Sequence, residues 1–465
     1  MPSAETPAQN ISAQLLPENF DTADFHAHIA TVNHRWHDAL HAAQFDAAVI
    51  AAGQPRNWFQ DDQAPVFRAN PDFAQFVPTD DCAEASVLIR CGERPVLFFL
   101  AAEDFWHPPP VIPQWISGAI DIRVFSDSDC LRIELARAVS AAGRSVLLGE
   151  AEDSNLGCHA HNHSAVLNPV HYQRALKTPF ELAALRTATA TAVKGHLAAR
   201  DAFLQGESEY GINLAYLGAS GQVASDLPYG NIVALNQHAA ALHYPFFDRS
   251  PPAERFNFLI DAGARAFGYA ADITRTWAWP GGEVQADFAA MIAAFDVRQK
   301  EIAAAVKPGV AFLSLHEMAH QAVARTLAEF GLIKCSADQA FDAGITRTFL
   351  PHGLGHLVGI QTHDVGGHQV SPSGDLAAPP SIYPALRLTR TLVPGFVFTV
   401  EPGLYFIPLL LRELRSSAAG DQVNWPAVER LLPCGGIRIE DNVRVTTDGH
   451  QNYTREAFTA SGASA

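Results

Sequence analysis

The sequence predicts an α/β domain over residues 1–175 followed by an α+β domain over residues 176–465. Three observations carry that expectation. Residues 31–175 alternate helix-length amphipathic stretches with short apolar runs. A helix-start signal, Lys177-Thr178-Pro179-Phe180-Glu181, then opens a long stretch rich in Ala and Leu. Beyond it, helices and strands follow one another without regular alternation.

In the first domain His34–Ala43 predicts a helix, and the apolar runs Ala47–Ala52, Ala85–Ile89, Val96–Ala102, Ile120–Phe125 and Ser145–Gly149 predict strands. Asn57–Pro78 and Trp106–Pro113 lack periodicity and read as loops. Thr178 and Glu181 are spaced as a capping box with Pro179 at the first helical position, so a helix runs from there to about Leu204 and the domain boundary falls just before it. In the second domain Val284–Ala305 and Leu313–Phe330 predict helices. Ile232–Leu235, Phe256–Ala262, Gly268–Trp277, Phe396–Val400 and Ile437–Val445 predict strands, and Ser371–Ser381 and Arg415–Gln422 predict loops.

Composition narrows the function classes. The chain has 465 residues, 48% of them hydrophobic, so it can bury a large core and wholesale disorder is excluded. Its net charge of −17 argues against a nucleic-acid footprint, which needs clustered Lys and Arg. The six cysteines form no CxxC pair, which disfavours a thiolate zinc or redox motif and suits a reducing compartment. Met1–Phe20 has neither the basic nor the apolar region of a signal peptide, and no apolar run approaches the ~20 residues of a membrane span. The expectation is a cytoplasmic protein with no membrane or nucleic-acid partner.

Four carboxylates and a histidine stand out by position. Asp261 ends the apolar run Phe258–Ile260, and Gly263 and Gly268 bracket a turn before Asp272. A hairpin there brings the two acids together, with Asp272 inside the returning strand and Tyr269, Ala271 and Ile273 on its opposite face. Glu401 ends Phe396–Val400. Glu440 shares a strand face with Arg438, opposite Ile437 and Ile439. Residues 351–367 carry His352, His356 and His363 among glycines that disfavour a helix. Buried acids without partners are costly, and several carboxylates with imidazole match divalent ions such as Mn²⁺, Co²⁺ or Zn²⁺. Such a pair of ions can activate a shared water.

The blocks IDAGARAFGYAADITRTW, PHGLGHLVGIQTHDVGG, TVEPGLYFI and GGIRIEDNVRV, with LPYGNIVALNQHAAALHY before them, resemble the bacterial Xaa-Pro dipeptidase (prolidase) branch of the pita-bread metallopeptidases, which includes the organophosphorus acid anhydrolases. The resemblance covers residues 177–456 strongly and the first domain loosely. It implies a pita-bread catalytic domain that hydrolyses Xaa-Pro dipeptides by a hydroxide bridging two metal ions, most expectedly Mn²⁺, with Co²⁺ or Zn²⁺ as alternatives. Organophosphorus esters and fluorides are implied as side substrates. The implied metal ligands are Asp261, Asp272, His356, Glu401 and Glu440, with Glu401 also the proton shuttle and His363 the carbonyl-polarising group. His352, His243, Arg438, Tyr229, Leu242 and Leu386 are implied around the substrate. Arg387, with Arg390 as fallback, is implied to grip the proline carboxylate. Asp62 or its neighbour Asp61, in the WFQDDQAP loop, is the candidate for the substrate amine, donated across a homodimer. An aminopeptidase acting on longer Xaa-Pro peptides and a metal-free binding module of the same fold are the alternatives.

Other polar groups read as structural. Cys158-His159-Ala-His161-Asn-His163 is an expected polar loop, and Asp24, His26 and His28 are expected to be solvated or capping residues at a helix start. Phe98, Phe99, Phe105 and Trp106 are expected in core and loop packing. Trp58 is read mainly as loop packing and Asp364 as a supporting acid beside His363.

Overall fold

The computed structural model describes residues 11–12, 20–150 and 156–463. Most of Met1–Phe20, the stretch read for a signal peptide, lies outside them. The chain divides into two compact units: Met1–Ala184 with Gln369–Leu376, and Leu185–His368 with Ala377–Ala465.

The first unit is built on a six-stranded sheet. Its order is Asp121–Phe125, Val96–Leu100, Ser86–Arg90, Ala47–Ala51, Ser145–Leu148 and Ala160–His161. The three central strands pair antiparallel and the outer additions are parallel. Ala47–Ala51 is buried throughout, as expected of a strand covered on both faces. Helix Ser128–Ala141 turns Leu131, Leu135 and Val139, spaced one turn apart, onto Val49, Leu88 and Phe98. Asp127 caps this helix by accepting from the Cys130 N–H at 2.8 Å. Helix Thr22–Ala42 is longer than the His34–Ala43 segment that periodicity picked out, with Asp21 as its cap.

The capping box forms as spaced. Glu181 Oε2 accepts from the Thr178 N–H at 2.8 Å, Thr178 Oγ1 accepts from the Glu181 N–H at 3.4 Å, and the helix spans Pro179–Leu204. His28 is neither solvated nor a cap. It is fully buried, its ring nitrogens 2.8 Å from Thr178 Oγ1 and the Gln75 carbonyl. The 57–78 loop contains a short helix, Pro71–Ala74, because Asn70 caps it with Pro71 at the first position. Phe98 and Phe99 are core, whereas Phe105 and Trp106 are exposed and pack on each other. Segment 371–381 is irregular. Its first part joins this unit through Asn168, which donates to the Ser373 carbonyl (3.1 Å) and accepts from Gln369 at its own (3.2 Å).

The second unit holds two three-stranded antiparallel sheets. One orders Thr274–Ala278, Asn257–Asp261 and Ile232–Leu235, and the other orders Val397–Val400, Asp441–Val445 and His450–Asn452. A bridge between Thr274 and Glu440 links them. Helix Glu283–Ala304 buries Phe288, Met291, Phe295 and Ile302 at helical spacing, and Phe312–Glu329 buries Leu315, Ala319, Val323 and Leu327.

Three sequence expectations are corrected. Gly268–Trp277 is not one strand: pairing stops after Ala270 and resumes at Thr274, so Asp272 lies in a break where it is as buried as its neighbours. Ile437–Val445 breaks likewise between Arg438 and Asp441, at Ile439–Glu440. Arg415–Gln422 is not a loop but the end of helix Pro408–Arg415 followed by a tight 3₁₀ turn, Ala418–Gln422. Helix Glu209–Ser220, capped by Ser208, was not foreseen.

Candidate metal centre

The interruptions in the strands place the chemistry. Asp261 stands opposite Thr274 in the hairpin register, and Asp272 lies two residues before Thr274, so both carboxylates come to the end of the hairpin where residues 262–273 connect its strands. Gly263 permits the crossing there, because a Cβ on it would lie 2.1 Å from the Ala271 carbonyl oxygen. The segment around His356 runs beside Val397–Val400. Thr399 N–H donates to the His356 carbonyl at 3.0 Å and Glu401 N–H to the Leu354 carbonyl at 2.8 Å. Gly355 allows this approach, since a Cβ would fall 2.0 Å from the Thr399 carbonyl. Glu440 joins them through the bridge, donating its N–H to the Thr274 carbonyl at 3.0 Å.

Asp261, Asp272 and Glu440 thus present ligand atoms within 4.8 Å of one another, and so do His356, Glu401 and Glu440, and Asp272, His356 and His363. The His356 ring is oriented for lone-pair donation. Its Nδ1 is 3.0 Å from the Leu357 carbonyl, which can only accept, so Nδ1 carries hydrogen. In the neutral ring, Nε2 then faces Asp272 Oδ2 at 3.3 Å and Glu401 Oε1 at 3.7 Å with a lone pair. Lone pairs aimed at lone pairs require a cation or a proton between them, and the donor set fits divalent ions.

The electrostatics agree. Burial, then the charges of Asp272, Glu401 and Asp261, raises the Glu440 carboxyl well above its usual range. Burial and the neighbouring acids push Glu401 up to about 7 and Asp261 to about 6, against the opposing pull of His356 on Glu401 and of Arg438 on both. For Asp272 burial also acts upward, but the hydrogen bond and charge of His356 outweigh it and hold the carboxyl below its ordinary value. Between the unfolded and folded pKa values of the raised acids, the native state binds more protons than the unfolded state. Stability of chelator-treated protein is therefore expected to fall as pH climbs from about 5 to about 7.5. The rise in melting temperature on adding Mn²⁺ is expected to be larger at the upper end of that window. Equal rises at both ends would mean that these acids do not bind the ion.

These groups line a cavity of about 530 Å³, together with Leu242, His243, His352, His363, Leu386, Arg387 and Arg438. All of its lining residues belong to the second unit. His363 and Arg387 are exposed, and the His363 ring stands edge-on to His356, centroids 4.3 Å apart. Burial, then the His356 and Arg387 charges, lowers His363 to about 4. His352 is lowered to about 3 by burial and Arg438, so its ring is neutral at neutral pH. Arg438 Nη1 donates to the Tyr405 hydroxyl (3.0 Å), which donates to His352 Nε2 (2.9 Å), while His352 Nδ1 donates to the Gly353 carbonyl (2.8 Å).

Two sequence-selected residues sit elsewhere than expected. Tyr229 is not in the cavity lining. Its hydroxyl lies 2.7 Å from Asp261 Oδ1 and 2.5 Å from Asp272 Oδ1, with one proton to share between them. Arg390 is buried over the Phe396 ring and donates to the Gly366 carbonyl, so Arg387 is the arginine of the pair that lines the cavity. Asp61 and Asp62 are exposed in a first-unit loop, each accepting from Gln63. The 158–163 stretch is not a loop throughout, because Ala160–His161 pairs with Val146–Leu147 as the edge strand; His159 Nδ1 accepts from the Ser145 N–H and His161 Nε2 meets the Gly149 carbonyl, so backbone occupies both rings.

Several supporting residues were missed. Thr274 Oγ1 donates to Glu440 Oε2 at 2.7 Å and receives Arg438 Nε at 3.0 Å. Arg438 Nη2 pairs with Asp261 Oδ2 at 2.7 Å. Beneath Glu440, fully buried Asp441 binds Arg275 and Arg455 at 2.7 Å each, plus Gln299 and Asn452 at 2.8 Å. Arg275 Nη1 also holds the Glu440 carbonyl at 2.8 Å. Asp441→Ala leaves the buried Arg275 and the half-buried Arg455 without this carboxylate, and a loss of about 3–5 kcal/mol is expected in urea unfolding. A loss within the ±0.5 kcal/mol usual for surface changes would show that the network carries no stability.

The comparisons point the same way. Residues 183–447 match the model of metallopeptidase family M24, and residues 23–172 match that of the Xaa-Pro dipeptidase N-terminal domain. The chain is 44% identical over 438 residues to a Xaa-Pro dipeptidase of Aeromonas hydrophila, covering 93% of this chain and 98% of that one. It is 42% identical over 435 residues to a Xaa-Pro dipeptidase of Xanthomonas axonopodis, covering 93% and 97%. Among solved structures it resembles zinc-substituted Escherichia coli aminopeptidase P in complex with product, with a TM-score of 0.70 at 22% identity over 94% of this chain and 96% of that one. That likeness reports the shared pita-bread fold.

Proposed function

Because the chain belongs to metallopeptidase family M24 and is a peptidase of its pita-bread, bacterial prolidase branch, we propose that it hydrolyses Xaa-Pro dipeptides at the cavity described above, using two divalent ions. The observation that carries the dinuclear site is the convergence of Asp261, Asp272, His356, Glu401 and Glu440 from five separated segments into overlapping clusters. Two such ions, held by these five residues, would supply an activated water near neutral pH and Lewis-acid polarisation of the scissile carbonyl. We assign Mn²⁺ as the preferred ion.

The chain's own residues do the rest. Glu401, whose carboxylate lines the cavity beside the other ligands, is poised to take the nucleophile's proton and return it to the departing proline nitrogen, a tertiary amide nitrogen that needs protonation to leave. His363, neutral and facing the cavity, donates its one N–H to the carbonyl oxygen as charge develops there. Arg387 pairs with the proline carboxylate by parallel hydrogen bonds. Arg438 is tied to Asp261, so it orients that ligand while facing the substrate. His352, with both nitrogens engaged, and Leu242, His243 and Leu386 form the walls. Tyr229 holds the two aspartates apart from bulk water. Asp62 is assigned to the substrate amine of a partner subunit in a homodimer.

The deciding experiment compares hydrolysis of Gly-Pro and Gly-Pro-Xaa with and without Mn²⁺. Manganese-dependent cleavage of Gly-Pro is expected. Cleavage of the tripeptide alone would instead make the protein an aminopeptidase, and full activity after exhaustive chelation would remove the metal from the reaction. A hydroxide nucleophile is also competent at phosphorus, so slow hydrolysis of organophosphorus esters or fluorides is proposed as a side activity.

A further inference from the structure

Besides Asp441, a second buried carboxylate outside the metal cluster has four hydrogen-bond donors arranged around it. Glu209 opens helix Glu209–Ser220 and is 1% exposed. Its Oε1 accepts from the Leu235 N–H at 2.9 Å and from His238 Nδ1 at 2.7 Å. Its Oε2 accepts from the Asp248 N–H at 2.9 Å and from the Tyr244 hydroxyl at 3.2 Å. One oxygen therefore holds the start of segment 235–248 and the other holds its end. The His238 and Tyr244 rings stack across the clasp, centroids 4.4 Å apart. Between the two attachment points lie Leu242 and His243, which line the catalytic cavity.

We propose that Glu209 is a positioning residue for substrate binding, clasping both ends of the 235–248 segment so that Leu242 and His243 stand fixed at the cavity wall. The proposal rests on the dipeptidase reading above. Its chemical requirement is specific. All four partners are donors, and a carboxylate is the one side chain that offers two oxygens accepting without donating. Glutamine has the same shape, but its amide NH₂ turns toward donors at one end and opens the clasp there. Alanine opens both ends.

The test uses full-length, metal-loaded enzyme and the variants E209Q, E209A and H243A. Both Glu209 variants are expected to raise KM for Gly-Pro about tenfold, the ratio carried by one to two ordinary hydrogen bonds, with kcat changed little. Amides of residues 236–247 are expected to exchange hydrogen faster, while metal content stays at the wild-type ratio. Adding E209A to H243A is expected to raise KM by much less than it does alone, because both act through one wall. Three results would overturn the proposal: full rescue by E209Q, which is the outcome for a residue that only fills space; strict multiplication of the two KM effects; and unchanged exchange in segment 236–247. Exchange is read without substrate. If the wild-type protein failed to cleave Gly-Pro, faster exchange in E209Q and E209A would still show the clasp, and the dipeptidase reading alone would fall.

Discussion

Replacing Glu401 by glutamine is expected to lower kcat for Gly-Pro by about 10²–10⁴-fold, the range that positioned acid–base groups contribute, while KM stays near the wild-type value. The side chain follows the buried strand Val397–Val400, and Thr399 Oγ1 donates to its Oε1 at 3.3 Å, so its position is fixed by the backbone that also faces His356. Glutamine keeps the shape and a ligating oxygen but cannot accept and return a proton. The carboxylate faces the cavity beside His356, where a proton taken from the nucleophile can be passed on to the leaving nitrogen. A variant turning over within a few-fold of wild type, at unchanged metal content, would take Glu401 out of the proton path.

Asp272→Asn is expected to have two opposite effects. Activity should fall at least as far as in the Glu401 variant and the metal content should drop, because this carboxylate belongs to two of the ligand clusters. Yet the chelator-treated variant should melt no lower than chelator-treated wild type. The Asp272 charge is among the causes that raise Asp261, Glu401 and Glu440, so its removal relieves repulsion among three buried acids. Sites held together against repulsion commonly trade stability for function. A clear loss of stability in the metal-stripped variant would show that Asp272 is bound mainly as a structural partner of His356 and Tyr229.

What was legible in the sequence was local. The capping box at Thr178 and Glu181, the apolar strands and the acids at their ends depend on residues a few positions apart, and periodicity reports them. Two features escaped because they are made at long range. The partners that orient the site's side chains, Thr274 on Glu440 and Tyr405 on His352, are separated in sequence by 166 and 53 residues. The strand breaks at Asp272 and Glu440 also escaped, because an apolar run reads as continuous until a neighbouring chain takes its hydrogen bonds. Glu209 shows the same limit: nothing adjacent to it in sequence announces four donors arriving from residues 235–248. Family resemblance supplied an expected ligand set but not this scaffolding.

The membership of Gln369–Leu376 in the first unit has a consequence for synthesis. The ribosome releases the sheet of that unit early, but the peptide that meets Asn168 through Gln369 and Ser373 emerges only after residues 185–368 have been made. The first unit therefore finishes folding late, on a piece of chain that its own stretch of the message does not encode. A fragment cut at Ala184 would be translated in full and still be incomplete.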